Sequence, residues 1–143
     1  MTSEDPYDLG RFVAAQDEDG TYDSALAELC SGRKMTHWMW FVFPQVAGLG
    51  SSQLSRHFAI SSLEEAKAYL AHPVLGRRLG ECAGALLAVE ARSAEQLLGA
   101  TDALKLRASM TLFSRAAPDA ALFDEVLARY FAGVPDPATE ARI

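Results

Sequence analysis

In the stretch LGRRLGECAGAL, residues 75–86, four apolar side chains recur at spacings of four, three and four residues: Leu75, Leu79, Cys82 and Leu86. This spacing places them on one face of an α-helix, so we predict a helix whose apolar face enters the core. The dipeptide His72-Pro73 predicts that the preceding helix ends there, because proline disfavours helical backbone in the residue before it. Gly80 and Gly84, four residues apart, suggest close contact with a neighbouring helix.

Serines followed three residues later by a Glu or Gln predict helix starts on both sides of this stretch. In such a capping box, the hydroxyl and the longer side chain each accept a hydrogen bond from an otherwise unpaired backbone N–H. Three pairs fit the pattern: Ser62 with Glu65, the alternative Ser61 with Glu64, and Ser93 with Gln96. We therefore expect a helix to begin after residue 62, and a short helix ending near Gly99 to begin after residue 93.

Apolar faces predict the remaining helices. These run from Pro6 to about Gln16, from Tyr22 to Ser31, from Thr101 through Phe113 and from Pro118 to about Tyr130. The residues from about 134 follow Gly133 and are expected to form a loose tail. The sequence therefore predicts one mainly α domain over residues 1–143, a compact single-domain bundle of about six helices with a Trp-rich irregular or short extended segment.

The Trp-rich segment HWMWFVFP, residues 37–44, fits neither the helical nor the strand period cleanly. A short buried strand, a helical turn and an extended segment are all compatible with it, and Pro44 ends it because proline has no backbone N–H. The two tryptophans are either core anchors with satisfied indole N–H groups or walls of a pocket for a flat ligand such as a nucleobase.

Composition excludes several classes of protein. Half of the 143 residues are hydrophobic and 22% are charged, which is typical of a globular chain and not of a disordered one. Thirteen Lys and Arg against nineteen Asp and Glu give a net charge of −6, so we expect no nucleic-acid partner. The acidic start is unlike a secretory signal, and the apolar run at residues 38–43 is too short to cross a bilayer. We therefore expect a cytoplasmic protein with no membrane partner.

Six residues are candidates for ligand binding because they combine aromatic surface, polar groups and positive charge: Trp38, Trp40, Phe43, Gln45, Ser51 and Lys105. The glycine-rich loop at residues 48–52 could direct backbone N–H groups at an anion, or could be a plain surface turn. Lys105 is either a functional lysine in a partly desolvated place, or a residue that reaches solvent or pairs with Asp102.

Three titratable residues are candidates for acid–base catalysis: His37, Asp102 and Glu65. His37 could donate or accept a proton near neutral pH or be structural, and Glu65 is also explained by helix capping. The three histidines and two cysteines show no metal-binding spacing, so neither a metal nor a cofactor is predicted. Cys30 and Cys82 each lie in an apolar helical pattern and are expected to be buried free thiols.

Several motifs together resemble a known family. From the N-terminus they are Asp5-Pro6, Arg11-Phe12-Val13, Gly32-Arg33-Lys34, His37 to Gln45, Gly48 to Ser51, His72-Pro73, Lys105-Leu106 and Met110 to Phe113. Over nearly the whole chain, the sequence is similar to the bacterial domain-of-unknown-function family number 1810, whose members often carry an automatic calpastatin label. The resemblance implies a mainly α-helical fold and no established activity. Calpastatins resemble disordered, Pro-rich repeats, and the globular composition of this chain argues against that label.

Two functions are compatible with these residues. The favoured one is a module that binds a small-molecule ligand or a protein partner through residues 38–45 and the adjacent glycine loop. The alternative is an enzyme acting on a nucleotide-like or ribosylated small molecule, in which Trp38 or Trp40 stacks on the substrate. This N-glycosidase-like hydrolase is suggested by residue types and by a similarity in size and helical, Trp-rich character to bacterial NADAR-type N-glycosidases.

Overall fold

The computed structural model describes residues 5–90 and 93–143. Six helices in this part of the chain have eight or more residues: α1 (Gly10–Asp17), α2 (Thr21–Ser31), α5 (Leu63–Ala71), α6 (Leu75–Ala88), α8 (Ala100–Ala116) and α9 (Leu122–Phe131). Four are shorter: α3 (Met39–Val42), α4 (Gln53–His57), α7 (Ala94–Leu98) and α10 (Pro137–Glu140). Among the described residues, β-type pairing is limited to an isolated parallel bridge between Val46 and Ile60. The predicted mainly α fold with about six helices is confirmed.

Helix α8 lies at the centre of the molecule, where it packs against α5, α7, α9 and α10. A series of aromatic rings connects four helices through this core. Phe12 of α1 meets Tyr69 of α5 edge-on, with ring centroids 5.2 Å apart. Tyr69 meets Phe113 of α8 at 5.3 Å, and Phe113 meets Phe123 of α9 at 5.9 Å. Tilted and edge-on pairs at such distances stabilise the fold beyond the burial of their area.

The helix starts predicted from serine are present. Ser62 Oγ accepts a hydrogen bond from the backbone N–H of Glu65 at 3.1 Å, and Ser93 Oγ accepts one from Gln96 at 3.1 Å. The Glu65 carboxylate differs from a simple capping box, because it accepts from the backbone N–H and the hydroxyl of Ser61, at 2.9 and 2.7 Å. Caps of this kind each contribute about 1 kcal/mol.

The two helix starts predicted from proline lie too early in the chain. α1 begins at Gly10 and not at Pro6, because the Asp5 carboxylate accepts from the backbone N–H groups of Leu9 and Gly10, at 2.7 and 2.9 Å. These two backbone hydrogen bonds lower the pKa of Asp5. α9 likewise begins at Leu122, four residues after Pro118, so in both places a turn intervenes between the proline and the helix.

The expectation for Gly80 and Gly84 is wrong. A β-carbon at either position would meet open space, so neither glycine is needed for helix contact. The close approach occurs instead at Gly76, where a β-carbon would lie 2.1 Å from the backbone oxygen of Leu70. The short connection at His72-Pro73 places the start of α6 directly against the end of α5, which explains why a glycine is needed there.

The C-terminal residues are attached to the body of the protein and do not form the expected loose tail. The guanidinium of Arg107 donates to the backbone oxygens of Val134 and Pro135, both at 2.9 Å. The backbone N–H of Asp136 donates to Thr111 Oγ1 at 2.9 Å, and Thr139 is fully buried. These contacts fix residues 134–140 against α8.

The two cysteines differ in burial. Cys82 is buried in α6 as expected, and its burial raises the pKa of the thiol to about 12. Cys30 is exposed, so the expectation of a buried thiol is wrong there. The buried face of α2 is formed by Tyr22, Ala25 and Leu29, and Cys30 lies about 80° around the helix from Tyr22 at about 100° per residue.

Two further observations bear on partners. No helix of the described residues is both long and apolar enough to cross a membrane. The same part of the chain contains no cluster of three or more His, Cys, Asp or Glu side chains that could hold a metal ion.

Candidate functional site

The Trp-rich segment forms a single helical turn, α3, which is one of the three conformations that the sequence left open. Its buried face consists of Met39, Val42 and Phe43, at the spacing expected for a helix. Trp40 lies on the other face and is half-buried. The α3 backbone is fixed by Gln16, a buried side chain whose Nε2 donates to the Phe41 oxygen at 2.7 Å.

Trp38 is a core residue. It is 1% exposed, and its indole N–H donates to Glu28 Oε1 at 2.9 Å. Phe43 is also fully buried, with its ring centroid 6.2 Å from that of Trp38. Because both rings are buried, neither Trp38 nor Phe43 offers a surface on which a ligand could stack.

Glu28 fixes the loop that leads into α3. Besides the indole of Trp38, its carboxylate accepts the backbone N–H groups of Met35 and Thr36, at 2.7 and 3.0 Å, and the Thr36 hydroxyl at 2.6 Å. Burial acts to raise the pKa of Glu28, but these hydrogen bonds outweigh it and lower the pKa to about 2. The carboxylate is therefore ionised at neutral pH and orders residues 35–38.

A cleft of about 320 Å³ lies between the α3 region and α8, with the C-terminal segment as its third wall. The polar and aromatic groups that line it come from three separate parts of the chain: Trp40, Gln45 and Gly50, then Thr101 and Lys105, then Asp136. Its volume is at the lower end of the range for small-molecule sites, which is about 300–1,000 Å³.

Lys105 lies in this cleft beside Trp40. Its ammonium is 3.9 Å from the centroid of the Trp40 ring, a cation–π contact, and 3.1 Å from Asp102 Oδ1. The i,i+3 pair with Asp102 that the sequence offered as one alternative is therefore present. An ammonium has three N–H donors, and the described residues supply one hydrogen-bond acceptor for them.

Asp102 is shared between two lysines. Its Oδ2 lies 2.9 Å from the ammonium of Lys34, while its Oδ1 contacts Lys105. The three side chains are only 9% (Lys34), 17% (Asp102) and 19% (Lys105) exposed, so their charges are weakly screened by solvent. Two positive charges and one negative charge give these three side chains a net charge of +1, and Lys105 is the one of the three that lines the cleft.

The backbone of Gln45 is fixed by hydrogen bonding to Ile60. Its backbone oxygen accepts from Ile60 N–H at 2.8 Å, and the Ile60 oxygen accepts from Ala47 N–H at 2.8 Å, which forms the isolated bridge. The side-chain Nε2 atom is buried and has no hydrogen-bond partner among the described residues. Gln45 also lines a small cavity of about 10 Å³, together with Gly50 and Ser55.

The glycine loop is shaped by close packing. Gly48 has a φ of +95°, and the Arg142 guanidinium occupies the place where a β-carbon would lie. At Gly50 a β-carbon would lie 2.8 Å from Ser55 Oγ. Ser51 is exposed and does not line the cleft, and its backbone oxygen accepts from Arg56 Nε at 2.9 Å.

The acid–base candidates are scattered. His37 is exposed and does not line the cleft. Glu65 forms a buried ion pair with Arg11 at 2.9 Å on α5, away from the cleft. Asp102 does not line the cleft and forms ion pairs with both Lys34 and Lys105. Among the described residues, the cleft therefore brings together three of the predicted ligand-binding residues, Trp40, Gln45 and Lys105, and none of the three predicted catalytic residues lines it.

Sequence reasoning missed Asp136. Its Oδ2 caps α10 by accepting from the backbone N–H and the hydroxyl of Thr139, at 3.0 and 2.6 Å. An Asp followed by Pro137 at the first helical position is a helix-start pattern that could have revealed α10. The contact of this helix with the cleft had no such signal in the sequence.

These features define a small α-helical protein with a ligand-sized cleft of aromatic and charged side chains. The chain belongs to the family described as Protein of unknown function (DUF1810), whose model matches residues 6–143 and confirms the family predicted from the motifs. It is similar to the conserved hypothetical protein Rv1873 from Mycobacterium tuberculosis, whose crystal structure was solved at 1.38 Å. The two are 53% identical, with 96% of each chain covered and a TM-score of 0.92. No curated protein matches the chain.

Proposed function

We propose that this protein binds a small planar acid in the cleft that Trp40 and Lys105 line. The observation that carries the proposal is the position of the Lys105 ammonium, which lies beside an aromatic ring in a cleft of ligand size and has N–H donors to spare. An anionic group would bind this ammonium, and the flat part of the ligand would pack on Trp40 and the adjoining apolar wall.

Charge supports an acidic ligand. The positive charge of Lys105 is only partly compensated, because Asp102 is also bound to Lys34. Asp136, on the C-terminal wall, is engaged in capping α10 and is not within salt-bridge distance of Lys105. The acidic group of the ligand is therefore expected on the Lys105 side, with hydroxyl or amino groups towards Asp136.

Binding is favoured over the hydrolase alternative by the state of the acid–base candidates. A general acid or base must reach the substrate within hydrogen-bond distance. Asp102 is committed to two ammonium groups, while His37 and Glu65 lie outside the cleft. The cytoplasmic location and the absence of a nucleic-acid partner expected from the sequence are part of the same proposal.

The test is a thermal-shift titration with matched acid and amide probes: benzoate against benzamide, and nicotinate against nicotinamide. A probe present at about 100 times its Kd stabilises the folded protein by about 2.7 kcal/mol. We expect the acids to raise the melting temperature more than the amides, and quenching of the tryptophan fluorescence to follow the same titration. Release of free base from uridine monophosphate incubated with the protein would support the hydrolase instead.

Lys105→Met separates specific binding from general salt effects. It should abolish the preference for acids, whereas Lys67→Met, which removes an exposed charge on α5, should keep it. If no acid binds, or if both variants bind acids equally well, the proposal is wrong.

A further inference from the structure

We infer that Gln45 is a specificity-determining residue of this cleft, and that its side-chain amide donates a hydrogen bond to an acceptor atom on the ring of the bound acid. This inference rests on the proposed function and narrows it. The ligand class becomes planar acids whose ring carries a nitrogen acceptor or a carbonyl oxygen, and plain aromatic acids become weak ligands.

The unpaired state of the amide is the first observation. Gln45 Nε2 is buried, yet no acceptor lies within hydrogen-bond distance among the described residues. Buried polar side-chain atoms in folded proteins are nearly always paired, because an unpaired one has lost its hydrogen bonds to water without replacement. Gln45 is one of the residues that line the cleft, so a bound ligand could supply the acceptor that Nε2 lacks.

The rigidity of the residue is the second observation. Its backbone is fixed by the bridge to Ile60, a fully buried residue, so Gln45 keeps its place in the cleft wall. The small cavity of about 10 Å³ that Gln45 also lines has room for no more than about one water molecule. Ser55 at that cavity already donates its hydroxyl proton to the Ser52 oxygen at 2.8 Å.

The arrangement of three different groups defines the ligand. Trp40 offers an aromatic surface, Lys105 offers a positive charge, and Gln45 offers a hydrogen-bond donor on the same cleft. A plain aromatic acid would satisfy the first two and bury the amide without a partner. Sites built to form a hydrogen bond reject analogues that lack the matching atom for this reason.

The experiment compares benzoate with its three pyridine analogues, picolinate, nicotinate and isonicotinate, which move one ring nitrogen acceptor around the ring. Affinities are measured by NMR titration of the ¹⁵N-labelled protein, in which the Gln45 side-chain NH₂ signal reports the contact directly. At least one pyridine acid should bind the natural protein about 10-fold more tightly than benzoate, which corresponds to one good hydrogen bond. The Gln45 NH₂ signal should shift with that acid and not with benzoate.

Gln45→Met supplies the control on mechanism, because it keeps the length of the side chain and removes the amide. It should bind benzoate as before and lose the preference for the pyridine acid. It should also raise the urea midpoint of unfolding, since no buried amide is left unpaired in the free protein. Gln53→Met, at an exposed position on α4, should change neither property.

The outcomes separate the two proposals. If benzoate and all pyridine acids bind equally, and Lys105→Met weakens them all, the cleft binds acids and the role of Gln45 is wrong. A Gln45→Met protein that keeps the preference, or that unfolds at a lower urea concentration, also overturns the role of Gln45. If no acid binds at all, the proposed function fails, and the inference built on it fails with it.

Discussion

Replacing Glu28 by Gln tests whether one ionised carboxylate orders the approach to the cleft. Glu28 accepts four hydrogen bonds, from Met35 N–H, the Thr36 N–H and hydroxyl, and the Trp38 indole. Gln can keep the acceptor oxygen that receives three of these bonds, so the substitution removes the charge and keeps most of the geometry.

The expected loss of stability follows from the strength of these bonds. Hydrogen bonds to a charged group contribute about 1.5–3 kcal/mol each and neutral ones about 0.5–1.5 kcal/mol, a difference of about 1 kcal/mol per bond. Because the four bonds share one charge and Glu28 is only half-buried, their losses do not add fully. We expect Glu28→Gln to lower the free energy of unfolding by about 2 kcal/mol at pH 7.

The pH dependence gives a second measurement of the same effect. The pKa of Glu28 is about 2 in the folded protein, against 4.5 as its ordinary value. Between these values the unfolded chain binds more protons than the folded one, so this contribution to stability is present above pH 4.5 and is lost as the pH falls towards 2. In Glu28→Gln this part of the acid sensitivity should disappear.

Urea unfolding at pH 7 and at pH 3, followed by tryptophan fluorescence, measures both effects. Glu64→Gln, which removes an exposed carboxylate on α5, is the matched control. The reasoning is refuted if Glu28→Gln unfolds within about 0.5 kcal/mol of the natural protein at pH 7, the range of ordinary surface substitutions, or if its pH dependence matches that of Glu64→Gln.

Three further pairs of substitutions test the packing and a helix cap. Gly80→Ala should raise the free energy of unfolding by about 0.5–1 kcal/mol, because the new β-carbon meets open space on a helix. Gly76→Ala should lower it by about 1–3 kcal/mol, because the new β-carbon overlaps a backbone oxygen. Equal urea midpoints for the two variants would contradict this. Trp38→Ala should lower the free energy of unfolding by about 3–5 kcal/mol, and Trp40→Ala should lower it clearly less. Thermal unfolding measures both losses, and the reverse order would contradict the assignment of Trp38 to the core. Ser62→Ala should cost about 1 kcal/mol, with Ser62→Asp restoring most of the loss in the same assay.

The helices could be predicted from the sequence because their signals are local. The apolar spacing of residues 75–86 and the capping serines at 62 and 93 depend on neighbours within one or two turns, and the structure has helices at those places. Proline was a weaker guide to helix starts. Pro6 and Pro118 fit a first helical position equally well in the sequence, but the Asp5 carboxylate and a turn before Leu122 set the actual starts.

The Trp-rich segment stayed ambiguous because a helix of four residues is too short to show a period. Its internal pattern also cannot separate Trp38 from Trp40. The difference arises from partners far away in sequence: Glu28 satisfies the first indole, and Lys105 covers part of the second. Residue types therefore identified a region that contains the candidate site, while burial determines which of its residues a ligand can reach.

The charge balance of the cleft could not be predicted from the sequence either, because it also depends on a partner far away in the chain. The i,i+3 spacing predicts that Lys105 and Asp102 pair, and from this pair alone the lysine would be neutralised. Lys34, which lies on the loop after α2, reaches the other oxygen of the same carboxylate and leaves Lys105 with charge to offer. Lys34 does not line the cleft, yet Lys34→Met should weaken the binding of acids. In this variant Asp102 would pair with Lys105 alone and neutralise its charge.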